Sequence, residues 1–192
     1  VTVESGDTQF NIDTPPKLHA HETALYVLDE FDITDDLRLN AGLRLSTFAH
    51  VGPFTLYELD AQGRSTGRQE FGPGRPIASY SALEPRFSLR HRLDGQSSIK
   101  ASFNRGQQYV HLASFSSVAL PTDVWIPSGT NVRPQIGTQY SAGYFRDLFD
   151  GVFETSLEGY YKDFDNLIEY AEGAEPQNNG HTNYDAQLVS GN

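Results

Sequence analysis

Cysteine is absent from all 192 residues, which excludes disulfide frameworks, thiolate metal sites and cysteine nucleophiles. Long apolar runs are absent as well. No run approaches the ~20 residues that a membrane-spanning helix requires, and no signal peptide opens the chain. Helical membrane proteins are thereby excluded, but membrane barrels are not, because their strands are apolar on one side only.

Basic residues are scarce. The chain has 14 Lys and Arg against 25 Asp and Glu, a net charge of −11. Binding to nucleic acid normally requires a basic face that neutralises phosphates, so no nucleic-acid partner is expected. Much of the acid falls in presumed turns and loops, where it is typical of a solvated rim: Asp29, Glu30, Asp32, Asp35, Asp36, Glu172 and Glu175.

Methionine is also absent, so the chain does not begin at an initiator residue. It ends shortly after Leu188 and Val189, an apolar pair that is typical of the beginning of a strand. Together the two observations favour a piece of a longer protein. We therefore expect residues 1–192 to form one partial domain.

Residues 37–48 alternate strictly between two kinds of side chain. One face carries leucine and alanine, and the other carries polar residues and glycine: Leu37, Leu39, Ala41, Leu43 and Leu45 against Arg38, Asn40, Gly42, Arg44 and Ser46. This alternation predicts a β-strand with one apolar and one polar face. Its length matches the ~9–11 residues with which a tilted strand crosses a bilayer.

The same alternation recurs along the chain. It predicts further strands at residues 81–93, 97–104, 140–144 and 152–162. Residues 21–33 predict a sixth strand, whose facing stays ambiguous because both of its registers contain apolar side chains.

The connections between these strands are short and long in turn. The short ones lie at residues 34–36, 94–96 and 148–151, and two of them contain the Asp-Gly pair that is expected in tight turns. Long polar loops are predicted at 49–79 and 109–135, and another begins near 171. Bacterial outer-membrane barrels alternate short periplasmic turns with long extracellular loops in this way. We therefore predict an all-β, antiparallel transmembrane β-barrel, incomplete because the smallest membrane barrels need about 8 strands.

Several short motifs, in order along the chain, resemble the barrel of TonB-dependent outer-membrane receptors. The sequences of these motifs are most similar to those of receptors of Bacteroidota and related bacteria. The motifs are residues 25–31 (LYVLDEF), 39–44 (LNAGLR), 83–86 (LEPR), 98–105 (SIKASFNR), 120–127 (LPTDVWIP) and 160–168 (YYKDFDNLI).

The resemblance implies a 22-strand barrel in the outer membrane of a Gram-negative bacterium, of which this chain supplies about six strands. It implies a plug domain and a TonB box, neither of which matches anything in the chain. The expected partners are outer-membrane lipid, the TonB-ExbB-ExbD system acting through that missing plug, and a small-molecule or oligomeric nutrient. A surface lipoprotein partner is left open.

No pattern in the chain predicts catalysis or a cofactor. His19 and His21 form an H-x-H pair that would point both rings the same way on a strand, but no third metal ligand lies at a recognisable offset. Glu154 and Glu158 would lie about 13 Å apart along a strand, beyond the ~5–9.5 Å carboxyl separation of glycosidases. We expect no enzyme activity, no metal site and no cofactor.

One loop carries candidate ligand contacts. Residues 107–134 combine aromatic and polar side chains of the kind that a ligand-capturing vestibule on extracellular loops would use. The candidates are Tyr109, His111, Trp125 and Arg133. Packing of the loop against its neighbours, above all by Trp125 between Pro121 and Pro127, is the favoured interpretation, and ligand contact is the alternative.

Aromatic residues near strand ends suit girdles at the two membrane interfaces, where amphipathic rings are favoured. The sequence does not assign each of them to the lipid or the lumen side. The residues in question are Tyr26, Phe48, Tyr80, Tyr140, Tyr144, Phe153 and Tyr161.

The sequence favours a barrel segment of a TonB-dependent receptor for a siderophore, glycan, peptide or vitamin complex. A plug-free outer-membrane porin or adhesin is the first alternative, and it would conduct ions across a bilayer. A soluble β-rich binding or hydrolytic module is the second, and it would fold without detergent.

Overall fold

The structure, a computed structural model, describes residues 2–5, 8–11, 17–59, 65–113, 124–170 and 188–191. This part of the chain contains strands and no helix. The strands are β1 (Thr2–Ser5), β2 (Thr8–Asn11), β3 (His19–Thr34), β4 (Leu37–Val51), β5 (Phe54–Leu59), β6 (Ser65–Phe71), β7 (Pro76–Arg92), β8 (Ser97–Gln108), β9 (Val110–Ala113), β10 (Val124–Pro127), β11 (Gln135–Leu148), β12 (Phe153–Asp165), β13 (Leu167–Tyr170) and β14 (Leu188–Gly191). In the described residues, therefore, no helix has the length and hydropathy needed to cross a membrane.

The six longest strands form one antiparallel sheet in the order β12-β11-β8-β7-β4-β3. Each strand pairs with its neighbours along the chain, so the sheet is a simple meander. All six predicted strands are confirmed, and most extend beyond the predicted ends. β7, for example, begins at Pro76 rather than at residue 81, because its first residues mix both kinds of side chain and hide the alternation.

Three short turns lie at one end of this sheet. Asp35 and Asp36 join β3 to β4, and residues 149–152 join β11 to β12 with positive φ at Phe149 (53°), Asp150 (56°) and Gly151 (87°). In the turn between β7 and β8, the backbone amide of Gln96 donates to the Asp94 carboxylate at 2.8 Å. That hydrogen bond, the largest of several causes, lowers the pKa of Asp94. The predicted short turns are confirmed.

The long connections lie at the opposite end, as predicted, but they are not featureless loops. The connection between β4 and β7 contains the β5–β6 hairpin, and that between β8 and β11 contains the β9–β10 hairpin. Beyond β12, β13 pairs with β14. The loop predicted at 49–79 was therefore too long at both ends, whereas the loop predicted at 109–135 began correctly and was one residue too long at its end. Both predictions missed these short strands.

The sheet has one apolar and one polar face. Side chains in register on neighbouring strands point the same way. On the apolar face, one row runs across Leu25, Leu45 and Leu83, and another joins Phe87, Phe103, Tyr140 and Tyr161. Ring centroids of Phe103 and Tyr140 lie 5.0 Å apart. On the polar face the rows consist mainly of Arg, Lys, Glu, Asn and Ser.

The ambiguous facing of β3 is settled by its register with β4. Leu25 and Val27 pair with Leu45 and Leu43, so they lie on the apolar face. Tyr26 pairs with Arg44 and therefore lies on the polar face, as does Leu28.

The apolar face has no protein cover in the described residues. Leu25 is 73% exposed and Leu157 is 78% exposed. The small buried core lies instead among the hairpins at the long-loop end, where Ala113, Ile126 and Val132 pack with Ile168. A sheet this wide with a bare apolar face requires a nonpolar environment on that side.

Three of the seven aromatics near strand ends, which the sequence could not assign to lipid or lumen, lie on the polar face. Tyr26 pairs with Arg44, and Phe48 pairs with Tyr80. Phe48 is 3% exposed. The register places them there, because they occupy the same alternate positions along the strands as the arginines of the polar face. The four others, Tyr140, Tyr144, Phe153 and Tyr161, share the apolar face.

Candidate functional site

Ion pairs organise the β3–β4 side of the polar face. The Arg38 guanidinium contacts Asp32 at 2.7 Å and Glu30 at 2.8 Å. Arg44 contacts Glu22 at 3.1 Å. These pairs join the two strands across their inner surface. Both guanidiniums and all three carboxylates of these pairs remain partly exposed, so each pair contributes little to stability.

A buried polar cluster closes the long-loop end of the polar face. The Ser46 hydroxyl donates to the Glu84 carboxylate, and its oxygen lies 2.8 Å from the Tyr109 hydroxyl. The ring of Tyr109 stacks on Phe48 with centroids 4.9 Å apart. Arg44 Nε lies 3.9 Å from Glu84, near enough to offset part of its charge. This cluster holds Tyr109, the residue just before β9, against the wall formed by β4 and β7.

Burial changes the acidity of the Tyr109 phenol. Loss of water around the ring is the main cause that raises its pKa, and the hydrogen bond with Ser46 works in the opposite direction. The phenol therefore stays protonated near neutral pH and can donate one hydrogen bond within the cluster. It serves as a structural link between the loop and the wall.

The β9–β10 hairpin has a buried face and an exposed face. On the buried face His111 is 1% exposed, and its Nε2 lies 2.9 Å from the Ser128 hydroxyl. The Ser128 amide donates to the Tyr109 carbonyl at 2.7 Å. On the exposed face Trp125 pairs with Leu112, and the indole is 63% exposed.

The four predicted ligand contacts are thus divided by the fold. Tyr109 and His111 lie together in the buried clusters, where they have almost no surface for a ligand. Trp125 projects from the opposite face of the hairpin, and Arg133 is exposed beside Tyr80. Ligand contact by these residues stays a prediction, and exposure favours Trp125 and Arg133.

Sequence reasoning did not find the partners of these residues. Ser46 and Glu84 are 38 positions apart, and Ser46 and Tyr109 are 63 apart. No local spacing could join them. The available signal was the strand alternation itself, which places Ser46 and Glu84 on the polar sides of β4 and β7.

The described residues were also compared with the metal-site and carboxylate-pair patterns in the sequence. No group of three His, Cys, Asp or Glu side chains comes together there to hold an ion. His19 and His21 lie on one side of β3, as the pattern predicted. Glu154 and Glu158 are in register with Asp147 and Gly143 on the polar face.

These features define a class of protein. A meandering antiparallel sheet, bare and apolar on one side and charged on the other, with all short turns at one end, is the wall of a membrane β-barrel. The polar face is then the inside of the barrel, and the apolar face contacts lipid.

Comparison with known proteins gives the family. The sequence model of the family "TonB dependent receptor-like, beta-barrel" matches residues 2–191. The chain belongs to this family, whose barrels lie in the outer membrane of Gram-negative bacteria. No curated protein sequence matches the chain significantly.

Two solved structures share the fold. One is the alcaligin outer membrane receptor FauA from Bordetella pertussis, with a TM-score of 0.51 and 19% identity over 91% of this chain. Another is the FrpB iron transporter from Neisseria meningitidis, with a TM-score of 0.52 and 18% identity over 91% of this chain. The chain spans 25% and 22% of their respective lengths.

Proposed function

We propose that this chain forms part of the barrel wall of a TonB-dependent transporter that imports a scarce nutrient across the outer membrane. The observation that supports the proposal is the separation of faces across all six strands. Lipid-compatible side chains occupy one side, while ion pairs and hydroxyls occupy the other. A wall of this kind surrounds a polar interior within a membrane.

The wall and the hairpins would have different tasks. The β9–β10 hairpin and its neighbours at the long-loop end would face the outside of the cell and capture the cargo. Trp125 and Arg133 are the exposed groups there that suit an aromatic or anionic ligand. Energy coupling would come from TonB acting through a plug domain of the whole protein.

An iron complex is the first cargo to test. FauA is a receptor for alcaligin and FrpB is an iron transporter. Their low identity to this chain relates the folds only, so glycan, peptide and vitamin complexes remain alternatives. A likeness to Bacteroidota receptors, expected from the motifs, stays a prediction.

Deletion of the complete gene tests the proposal. The mutant should lose growth on one scarce nutrient supplied as its only source, and a plasmid copy should restore it. Inactivation of TonB should produce the same loss. Nutrient uptake that continues without TonB, together with ion conductance of the purified protein in planar bilayers, would instead identify a porin.

A further inference from the structure

The apolar face of the sheet ends in a polar row near the short turns. Arg146 lies two residues beyond Tyr144 on β11, so both side chains point to the lipid side of the sheet. Arg146 is in register with Ser97 on β8 and with Thr155 on β12. These three residues form the first polar row beyond the band of apolar side chains.

A second polar row marks the other end of the same band. Thr138 on β11 is in register with Arg105 on β8 and Asp163 on β12. Between the two rows, the lipid side of these three strands carries apolar or aromatic side chains and glycine. The eight residues from Thr138 to Arg146 span about 26 Å along a strand, at ~3.3 Å per residue.

The height of this band places Arg146 at a membrane boundary. Strand tilt shortens the separation of the two rows to roughly 20 Å across the membrane, close to the ~25 Å apolar band of outer-membrane barrels. Short turns face the periplasm in such barrels. Arg146 therefore lies where hydrocarbon gives way to lipid headgroups in the periplasmic leaflet.

Apolar side chains continue beyond Arg146, at the tip of the β11–β12 turn. Phe149, Val152 and Phe153 are 76%, 71% and 59% exposed. The rings of Phe149 and Phe153 meet edge to face, with their centroids 6.1 Å apart. Such a tip is more stable in the interfacial layer of the membrane than in water, because its apolar surface is then covered. The guanidinium of Arg146 is thus exposed between two apolar patches at headgroup depth.

Arg146 has a hydroxyl partner but no ion pair in the part of the chain that the structure describes. Its Nη1 donates to the Tyr144 hydroxyl at 3.4 Å, which leaves the O–H of Tyr144 able to donate in turn. Asp94 acts on the charge of Arg146 from the neighbouring turn without forming an ion pair. The Asp94 carboxylate accepts hydrogen bonds from Gln96 and Ser97 instead.

The lipid side of the sheet limits what else can reach Arg146. A plug domain inside the barrel lies against the opposite face, so it cannot supply a partner here. The strands on both sides of β11 are present, and they place Ser97 and Thr155 beside the guanidinium. The Thr155 hydroxyl donates to the Arg146 carbonyl at 2.8 Å, so that donor is already used.

A guanidinium with free donors beside a phenol O–H suits a phosphate, which accepts several charge-assisted hydrogen bonds. At this depth a phosphate belongs to a lipid, whose acyl chains cover the apolar band while its headgroup reaches the polar row. Basic side chains at a membrane surface favour anionic lipids. Charge and depth therefore select the same ligand.

We propose that Arg146, with the Tyr144 hydroxyl beside it, binds the phosphate of an anionic phospholipid in the periplasmic leaflet. The acyl chains of this lipid lie along the apolar positions between the two polar rows, and the turn tip at Phe149 and Phe153 packs beside its headgroup. The inference rests on the place of the family in the outer membrane. It does not depend on the transported cargo.

Lipid preference at the surface of the full-length receptor tests the site. A fluorophore at Leu157→Cys lies on the lipid side of β12, in register with Tyr144. Its quenching in vesicles is measured with brominated phosphatidylglycerol, which is anionic, and with brominated phosphatidylcholine, which has no net charge. Phosphatidylglycerol should associate about fivefold more strongly at this position, and Arg146→Gln should reduce the ratio to about one, because the charge that selects it is lost.

Arg105→Gln is the matched control. It removes the same charge from the same face, in the polar row at the opposite end of the band, and should leave the ratio within about twofold of its original value. Arg146→Lys keeps the charge and should keep at least half of the ratio. Quenching by phosphatidylcholine should be equal in all variants, which shows that the label still faces lipid.

Three results would overturn the inference: equal association of the two lipids with the unsubstituted receptor, an equal loss in Arg105→Gln, or a changed quenching by phosphatidylcholine in both Arg146 variants. The last result would mean that Arg146 positions the strand rather than a lipid. None of them bears on TonB-dependent uptake, so the lipid site and the proposed transport function can fail separately.

Discussion

At the scale of single residues, His111 gives the loop region a dependence on pH. Burial lowers the pKa of His111 below its ordinary value of 6.5, and its Nδ1 has no hydrogen-bond partner among the described residues. The opened hairpin takes up a proton at higher pH than the closed hairpin. The contribution of neutral His111 to the stability of the closed hairpin is therefore fully present above pH 6.5 and is lost as the pH falls toward the lowered pKa.

Hydrogen exchange of β9 and β10 in the full-length receptor measures this effect. Protection should fall between about pH 7.5 and pH 5 after correction for intrinsic exchange rates. His111→Gln keeps a hydrogen-bonding group but does not titrate in this range. The variant should lose the pH dependence, and an unchanged decline in it would assign the effect to another group.

Ser46 is the residue on which the buried polar cluster depends. Its hydroxyl serves both the Glu84 carboxylate and the Tyr109 phenol. Ser46→Ala should lower the free energy of unfolding of the full-length barrel by about 1–3 kcal/mol, because Glu84 then stays buried without its hydrogen-bond donor. Tyr109→Phe removes one hydroxyl and leaves the Ser46–Glu84 contact, so it should cost about 1 kcal/mol.

Urea titration of both variants in detergent compares them. Equal losses for Ser46→Ala and Tyr109→Phe would show that Glu84 finds another donor, Arg44 being the nearest candidate at 3.9 Å.

Residue-level prediction from sequence was partly successful for a physical reason. Tyr109 and His111 could be singled out because they stand in a polar loop. Their burial could not be foreseen, since it depends on Phe48, Ser46 and Ser128, which reach them only after the strands have paired.

At the scale of elements, β3 provides the sharpest test of the face assignment. Val27 lies on the apolar face and Leu28 on the polar face. A fluorophore attached at Val27→Cys should be quenched by brominated lipid in vesicles, whereas the same label at Leu28→Cys should respond only to quenchers that enter from water. Reversed results at the two positions would mean that β3 pairs with β4 in a register shifted by one residue.

A charge on the lipid-facing side of β4 should lower the stability of the folded barrel. Leu43 lies near the middle of β4 on the apolar face. Leu43→Arg should destabilise the folded barrel by about 2–4 kcal/mol if the residue lies at the bilayer midplane, and less toward an interface. Asn104→Arg on the polar face of β8 is the control, and folding into lipid vesicles at graded urea concentrations measures both.

Sequence alternation predicted the long strands well because a membrane wall imposes it on every residue. It predicted the β3 strand but left its facing open, because Tyr26 and Leu28 place apolar groups on the polar side. It failed for the hairpins. β5 and β6 read FTLYEL and STGRQEF, and neither sequence alternates, because neither hairpin strand has one side in lipid and one in water.

At the scale of the whole chain, both edges of the six-stranded sheet are unpaired within the part that the structure describes. β3 and β12 each have a long side without a strand partner in the described residues. Unpaired edges of this length favour association between chains. Residues 1–192 produced alone should therefore aggregate in water. A monodisperse, detergent-free preparation with native β-sheet content would speak for the soluble alternative.

The inward position of Tyr26 and Leu28 has a further consequence. These side chains are 81% and 68% exposed on a face that carries mainly charged and polar side chains. Covering an aliphatic or aromatic side chain gains roughly 1.5–3 kcal/mol. Water cannot supply that gain. A segment or molecule that covers Tyr26 and Leu28 is therefore held by apolar contact as well as by the charges of the polar face.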